Sequence, residues 1–108
     1  MGPRLCAAGV SLWLAVFAAS HPATAATIRV TVDKISFGPT QVSAHVGDTI
    51  EWVNDDFVAH SATARNGDWD VMLPPHQTGR TSVKKPGKVE YYCRYHPNMK
   101  GEITIAPE

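Results

Sequence analysis

Val46-Gly47-Asp48-Thr49-Ile50-Glu51-Trp52-Val53-Asn54 is the stretch on which the fold class turns. Gly47-Asp48 is a turn signal, and from Thr49 onward apolar and polar side chains alternate, placing Ile50 and Trp52 on one face. A period of two is that of a half-buried strand. Working outward, Ile28, Val30 and Val32 alternate with Arg29, Thr31 and Asp33, and after the Phe37-Gly38-Pro39 break residues 42–46 make a second short strand candidate. Downstream, Pro86-Gly87 is a strong turn. Val89, Tyr91 and Cys93 share a face of the strand that follows it, and Ile103 and Ile105 belong to one more. Residues 55–79 are rich in loop formers (Asp55-Asp56, Asn66-Gly67-Asp68, Pro74-Pro75), with one short strand candidate at His60–Ala64. No helical period lasts three turns beyond residue 26. The expected fold class is all-β, a sandwich of short strands in one domain over 26–108.

Residues 1–25 read as a secretory signal peptide. Arg4 gives a positive start, residues 5–19 are apolar apart from Gly9 and Ser11, and Ala23-Thr24-Ala25 has the small-x-small pattern of a cleavage site. The cut is expected after Ala25, with Ala26 or Thr27 as the first mature residue. The run is short for a membrane span of about 20 residues; an uncleaved anchor is the alternative, and either way the remainder faces a non-cytosolic compartment, most naturally the periplasm. No stable membrane insertion is expected after cleavage. The chain has 10 Lys+Arg against 10 Asp+Glu, which offers no basic excess for a nucleic-acid partner.

Cleavage also alters the cysteine arithmetic. Of the 2 cysteines, Cys6 leaves with the signal, and Cys93 remains without an intramolecular disulfide partner. Its surroundings give it a use. In Cys93-Arg94-Tyr95-His96-Pro97-Asn98-Met99 a cysteine ending a strand is followed by histidine and then methionine, each after two intervening residues, so one tight loop turns three metal-capable side chains toward a point. Thiolate, imidazole and thioether form a soft set that suits copper, and a second histidine completes the His₂Cys plane with weak axial Met of a blue-copper site. His45, His60 and His76 are the available histidines. His60 is preferred, because it follows the Trp52 strand and a short loop where a neighbouring strand brings it beside Cys93. Met72 is a rival for the axial place, but no fixed spacing ties it to Cys93. No catalytic constellation competes, and an enzyme is not expected.

These features together, Val46 through Asn54, then His60, then Pro86-Gly87 with Tyr91-Tyr92-Cys93 and the Cys-x-x-His-x-x-Met loop, resemble the plastocyanin and amicyanin branch of the cupredoxins. The ligand-loop spacing is similar to that of the amicyanins. The resemblance implies a Greek-key β-sandwich holding one type 1 copper ion, with His60 and His96 as imidazole ligands, Cys93 as the thiolate and Met99 as the axial thioether. It implies single-electron transfer between redox proteins by a monomer, with transient docking around His96 inside an apolar rim drawn from Tyr95, Pro97, Phe57, Leu73 and Pro74. A copper carrier or buffer in the same compartment is the alternative function. One position departs from the pattern: Ser61 stands where amicyanins place the asparagine that ties two loops near the cysteine sulfur.

Overall fold

The computed structural model describes residues 24–108, with Gly2, Gly9 and residues 11–13 ahead of them. Most of the expected signal peptide lies outside the described residues. A strand with one apolar face must bury that face against a second layer. Nine strands do so among the described residues: β1 (Thr27–Asp33), β2 (Ser36–Gly38), β3 (Gln41–His45), β4 (Thr49–Asn54), β5 (His60–Ala64), β6 (Asp70–Leu73), β7 (Thr78–Ser82), β8 (Gly87–Tyr92) and β9 (Lys100–Ala106). One sheet has the order β2-β1-β4-β7 and the other β3-β9-β8-β5-β6. The all-β sandwich expected from the alternation is the fold.

Two pairings are parallel. β1 sets Val30 beside Trp52 of β4, and β3 sets Ala44 beside Ile105 of β9. Parallel neighbours cannot be joined by a hairpin, so the chain crosses between sheets before returning, as Greek-key sandwiches do. The alternation read from the sequence supplies the core: Val30, Val32, Ile50 and Trp52 from one sheet meet Ala62, Leu73, Val89, Tyr91, Ile103 and Ile105 from the other, all buried. Trp52 stands edge-on to Tyr91 with ring centroids 5.5 Å apart, and Phe37 approaches the other side of the Tyr91 ring at 4.7 Å.

Three strands escape the period of two. β2 has only three residues, with Phe37 its single buried position, too short a run to be read as alternation. β7, with the sequence TGRTS, carries no apolar side chain and has no buried position, so its strand state comes from pairing with β4 along the sheet edge. β6 lies in the loop-rich region and pairs with β5, setting Leu73 opposite His60. That region is therefore β5, β6 and the start of β7, joined by turns.

β5 starts at His60 and β8 ends at Tyr92, so the chain before β5 and the chain after β8 emerge at the same end of one sheet. The Pro86-Gly87 turn sits at the other end of β8, about 20 Å away at roughly 3.3 Å per residue.

Candidate metal centre

Only Thr63–Tyr92 and Ala64–Tyr91 pair between β5 and β8. Beyond them the ladder stops, and side chains take over the joining of the two segments. The backbone N–H of Arg94 donates to the Ser61 hydroxyl at 2.9 Å, where a ladder bond would otherwise be. The same hydroxyl is 2.9 Å from that of Thr63, which in turn donates to an Asp70 carboxylate oxygen at 2.9 Å. Since Thr63 spends its proton on Asp70, the Ser61 proton points to Thr63. Asp70 closes the circuit by pairing with the Arg94 guanidinium. The Ser61 and Thr63 hydroxyls each accept one hydrogen bond and donate the next, an arrangement in which successive hydrogen bonds polarise one another.

Cys93 and His60 are wholly buried between these ties, and His96 is half-buried. The Cys93 sulfur accepts the Ser61 N–H at 3.4 Å. The loop that returns the chain to β9 is closed by its own backbone: Met99 N–H donates to the His96 carbonyl at 2.8 Å, and Cys93 N–H to the Met99 carbonyl at 3.2 Å. Those two bonds convert the Cys-x-x-His-x-x-Met spacing into a compact turn. Met99 is buried within it. Met72, the rival axial residue, is 46% exposed on β6 with its sulfur 4.0 Å from the Tyr95 hydroxyl.

Two residues that sequence reasoning passed over set His60. Asn54, wholly buried at the end of β4, donates its amide protons to the carbonyls of Val58, Leu73 and Pro74 at 3.0–3.1 Å and accepts the Asp56 N–H at 2.9 Å. It thereby pins the β4–β5 loop to the end of β6. Asp56 then takes His60 Nε2 at 2.7 Å, while its oxygens also accept the N–H groups of Lys34 (2.8 Å) and Ile35 (3.0 Å). Both turn residues have positive φ, 51° and 58°, which aims their N–H groups to one side. Burial raises the Asp56 carboxyl, but the Ile35 N–H, the His60 ring and the Lys34 N–H outweigh it and hold it below the usual carboxylate range. An ionised carboxylate at Nε2 keeps the imidazole proton there and leaves the Nδ1 lone pair free. The only sequence signal for Asp56 was its place four residues before a histidine, which is too weak to choose it.

His60 Nδ1 and His96 Nδ1 lie 3.2 Å apart, and the Cys93 sulfur is 3.7 Å and 3.6 Å from them. The three are also the one cluster of histidine, cysteine or acidic side chains among the described residues whose ligand atoms gather so closely. The point equidistant from all three atoms is about 2 Å from each, close to the ~2.0–2.3 Å of metal bonds to imidazole and thiolate. Two imidazoles and a thiolate in one plane, with a thioether in the same loop, is the donor set that selects copper. The donor set fits that ion.

Other residues behave differently from their sequence reading. Leu73 has no exposed surface and cannot form part of a docking rim, because it fills the core opposite His60. Phe57 is 87% exposed, and Val58 and Tyr95 are also open to solvent, so the apolar surface beside His96 comes from the β4–β5 loop and the ligand loop. His76 stands edge-on to Phe57 with centroids 4.8 Å apart, at the margin of that surface and not among the clustered donors.

A family model for the Cupredoxin-like domain matches residues 5–105. The chain is 32% identical to the methylamine utilization protein MauL of Methylorubrum extorquens, over 90% of this chain and 89% of that protein. It is 29% identical to amicyanin-alpha of the same organism, over 81% and 78%, and 26% identical to amicyanin of Paracoccus denitrificans, over 82% and 72%. Among solved structures, an amicyanin variant in its Cu(I) form superposes with a TM-score of 0.65 at 22% identity, covering 73% of this chain and 81% of that one. An oxidised amicyanin variant gives 0.66 at 23% identity, with coverage of 72% and 80%.

Proposed function

The chain belongs to the cupredoxin-like family, and from that premise we propose that it is an exported blue-copper protein carrying single electrons between redox partners. The triangle of His60 Nδ1, His96 Nδ1 and Cys93 Sγ, with sides of 3.2–3.7 Å, carries this reading. His60, His96, Cys93 and Met99 would hold the ion through two imidazoles, a thiolate and a thioether. Copper held there supplies a one-electron Cu(II)/Cu(I) couple.

What the chain's own residues contribute is fixity and insulation. Asp56 orients the His60 ring, the Ser61 N–H partly satisfies the thiolate, and the Ser61 hydroxyl holds the ligand loop against β5. Donors held this way lose little freedom when they engage an ion, so both oxidation states meet nearly the same cage. His96 is the one donor of the three that is not fully buried, and exposed Tyr95, Pro97, Phe57 and Val58 surround its end of the molecule. Small apolar patches of this kind suit weak, short-lived redox encounters, and partners are proposed to dock there. The leader pattern supports export to the periplasm.

The test is the visible absorption of the copper-loaded protein. A thiolate bound to Cu(II) would give an intense charge-transfer band, and Cys93→Ser is expected to abolish it. A band of undiminished strength in Cys93→Ser protein would overturn the ligand set. Retention of the metal through repeated oxidation and reduction separates electron carriage from the carrier or buffer alternative, in which the ion leaves on a change of state.

A further inference from the structure

Residue 26 is held on both sides at the far end of the sandwich from the donor cluster. Its N–H donates to Asp48 Oδ1 at 2.9 Å, and its carbonyl accepts the Thr49 N–H at 2.9 Å. From the next residue β1 enters its parallel ladder, Thr27 beside Thr49. Thr24 and Ala25 precede this anchor and are exposed. The second Asp48 oxygen accepts the His45 N–H at 2.8 Å, with the exposed His45 ring nitrogen 3.9 Å away. Asp48 itself is only 6% exposed. A carboxylate so enclosed, facing two neutral N–H groups, is better matched by a full positive charge, since charge-assisted hydrogen bonds are roughly twice as strong as neutral ones.

We propose that cleavage between Ala25 and Ala26 supplies that charge, the new α-ammonium of Ala26 pairing with Asp48 and latching β1 onto β4. A signal peptidase adds one water across the Ala25–Ala26 peptide bond, leaving a carboxylate on Ala25 and an ammonium on Ala26. The nitrogen already in contact with Asp48 thus passes from neutral donor to cation without moving. A cut one residue later removes the Ala26 N–H from Asp48 altogether, and a cut earlier leaves it uncharged, so the latch is specific for this bond.

The titratable groups facing the new terminus are Asp48, His45 and Glu108, which line one hollow with Ala26. The N–H groups of His45 and Ala26 already hold the Asp48 carboxyl below its ordinary value against the opposing effect of burial. An amine gaining such a partner has a folded pKa raised above its free value of about 8. Its stabilisation is therefore full below pH ~8 and is lost as pH rises through the folded value.

The experiment exports the full chain from a bacterium, reads the start of the product by intact mass and N-terminal sequencing, and follows the terminal amine by NMR titration. The expected product begins at Ala26, its amine titrates above about 8, and Asp48→Asn returns the midpoint to about 8. A product that begins elsewhere, or an amine with the same midpoint in both proteins, overturns the proposal. If the Asp48→Asn protein does not accumulate, the wild-type amine decides alone: a midpoint at or below 8 overturns the latch, and one above it supports it.

Discussion

The Ser61 hydroxyl is buried and serves two neighbours at once, accepting from Arg94 N–H and turning its proton to Thr63. Ser61→Ala leaves that N–H without its acceptor, and the expected cost is about 1–2 kcal/mol in the metal-free protein, the usual range for a lost hydrogen bond with a stranded partner. Urea unfolding measures it, and hydrogen exchange at the Arg94 amide should quicken with it. An unchanged exchange rate would mean that the tie does not hold the ligand loop. Asp56→Ala acts on the other side of the site. It frees His60 Nε2 and returns two exposed turn N–H groups to water, and copper affinity is expected to fall about 10–100-fold, as for other residues that orient a metal-binding histidine. Competition against a copper chelator gives the number. Equal affinities would show that the ring is oriented without the carboxylate.

At the scale of strands, packing between β8 and β9 depends on a residue with no side chain. A Cβ built on Gly101 lies 2.3 Å from the Tyr91 ring and 2.5 Å from its hydroxyl oxygen, and Tyr91 is itself held by Trp52 and Phe37. The ring has nowhere to retreat. Gly101→Ala is therefore expected to destabilise by at least the ~1–3 kcal/mol typical of overpacking, read as a lower urea midpoint; an unaffected midpoint would mean that β9 shifts freely on β8. The three strands β1, β4 and β7 are tied in another way. Glu51 of β4 receives Arg29 of β1 at 3.1 Å and Arg80 of β7 at 2.7 Å. The Arg80 hydrogen bond, opposed by burial and aided by Arg29, holds its carboxyl below the usual value. A depressed carboxyl contributes stability that is present above its unfolded pKa of about 4.3 and is lost as pH falls through the folded value. The Glu51→Gln protein should accordingly lose less stability than wild type on acidification below pH ~4.5. Parallel acid unfolding curves for the two would contradict it.

For the molecule as a whole, charge and apolar surface lie at opposite ends. Lys84, Lys85 and Lys88 flank the turn at the start of β8, and two of them are partly neutralised, Lys85 by Asp68 at 3.6 Å and Lys88 by Glu102 at 3.5 Å. The end that holds His96 presents Phe57, Val58 and Tyr95 instead. Placing a charge at Phe57 or Pro97 is therefore expected to slow electron exchange with a protein partner more than reversing Lys84 and Lys85, and stopped-flow rates at fixed ionic strength compare them. The opposite ranking would move the docking surface to the basic end.

The chain's periodicity was sufficient for β1, β8 and β9, because each buries one face and must alternate to do so, and for β4, whose sequence alternates although Glu51 is buried along with Ile50 and Trp52; the Cys93–Met99 spacing marked three candidate donors in one loop. β7 and β6 were illegible for the complementary reason: edge strands receive their state from a neighbour's hydrogen bonds, and TGRTS has no buried face to record it. The same holds around the site. Cys93 and His96 are three residues apart and betray themselves locally, whereas Asp56, Asn54 and the Ser61-Thr63-Asp70-Arg94 ring act through contacts between segments that the sequence separates by up to 33 positions. Leu73 marks the converse error, an apolar residue beside prolines that reads as rim and is core, since only the pairing of β6 with β5 decides which way it points. The candidate donors Cys93, His96 and Met99 are side-chain types at short spacing and are written along the chain; the approach of His60 and the orientation of its ring depend on partners from other strands and exist only once the sheets have packed.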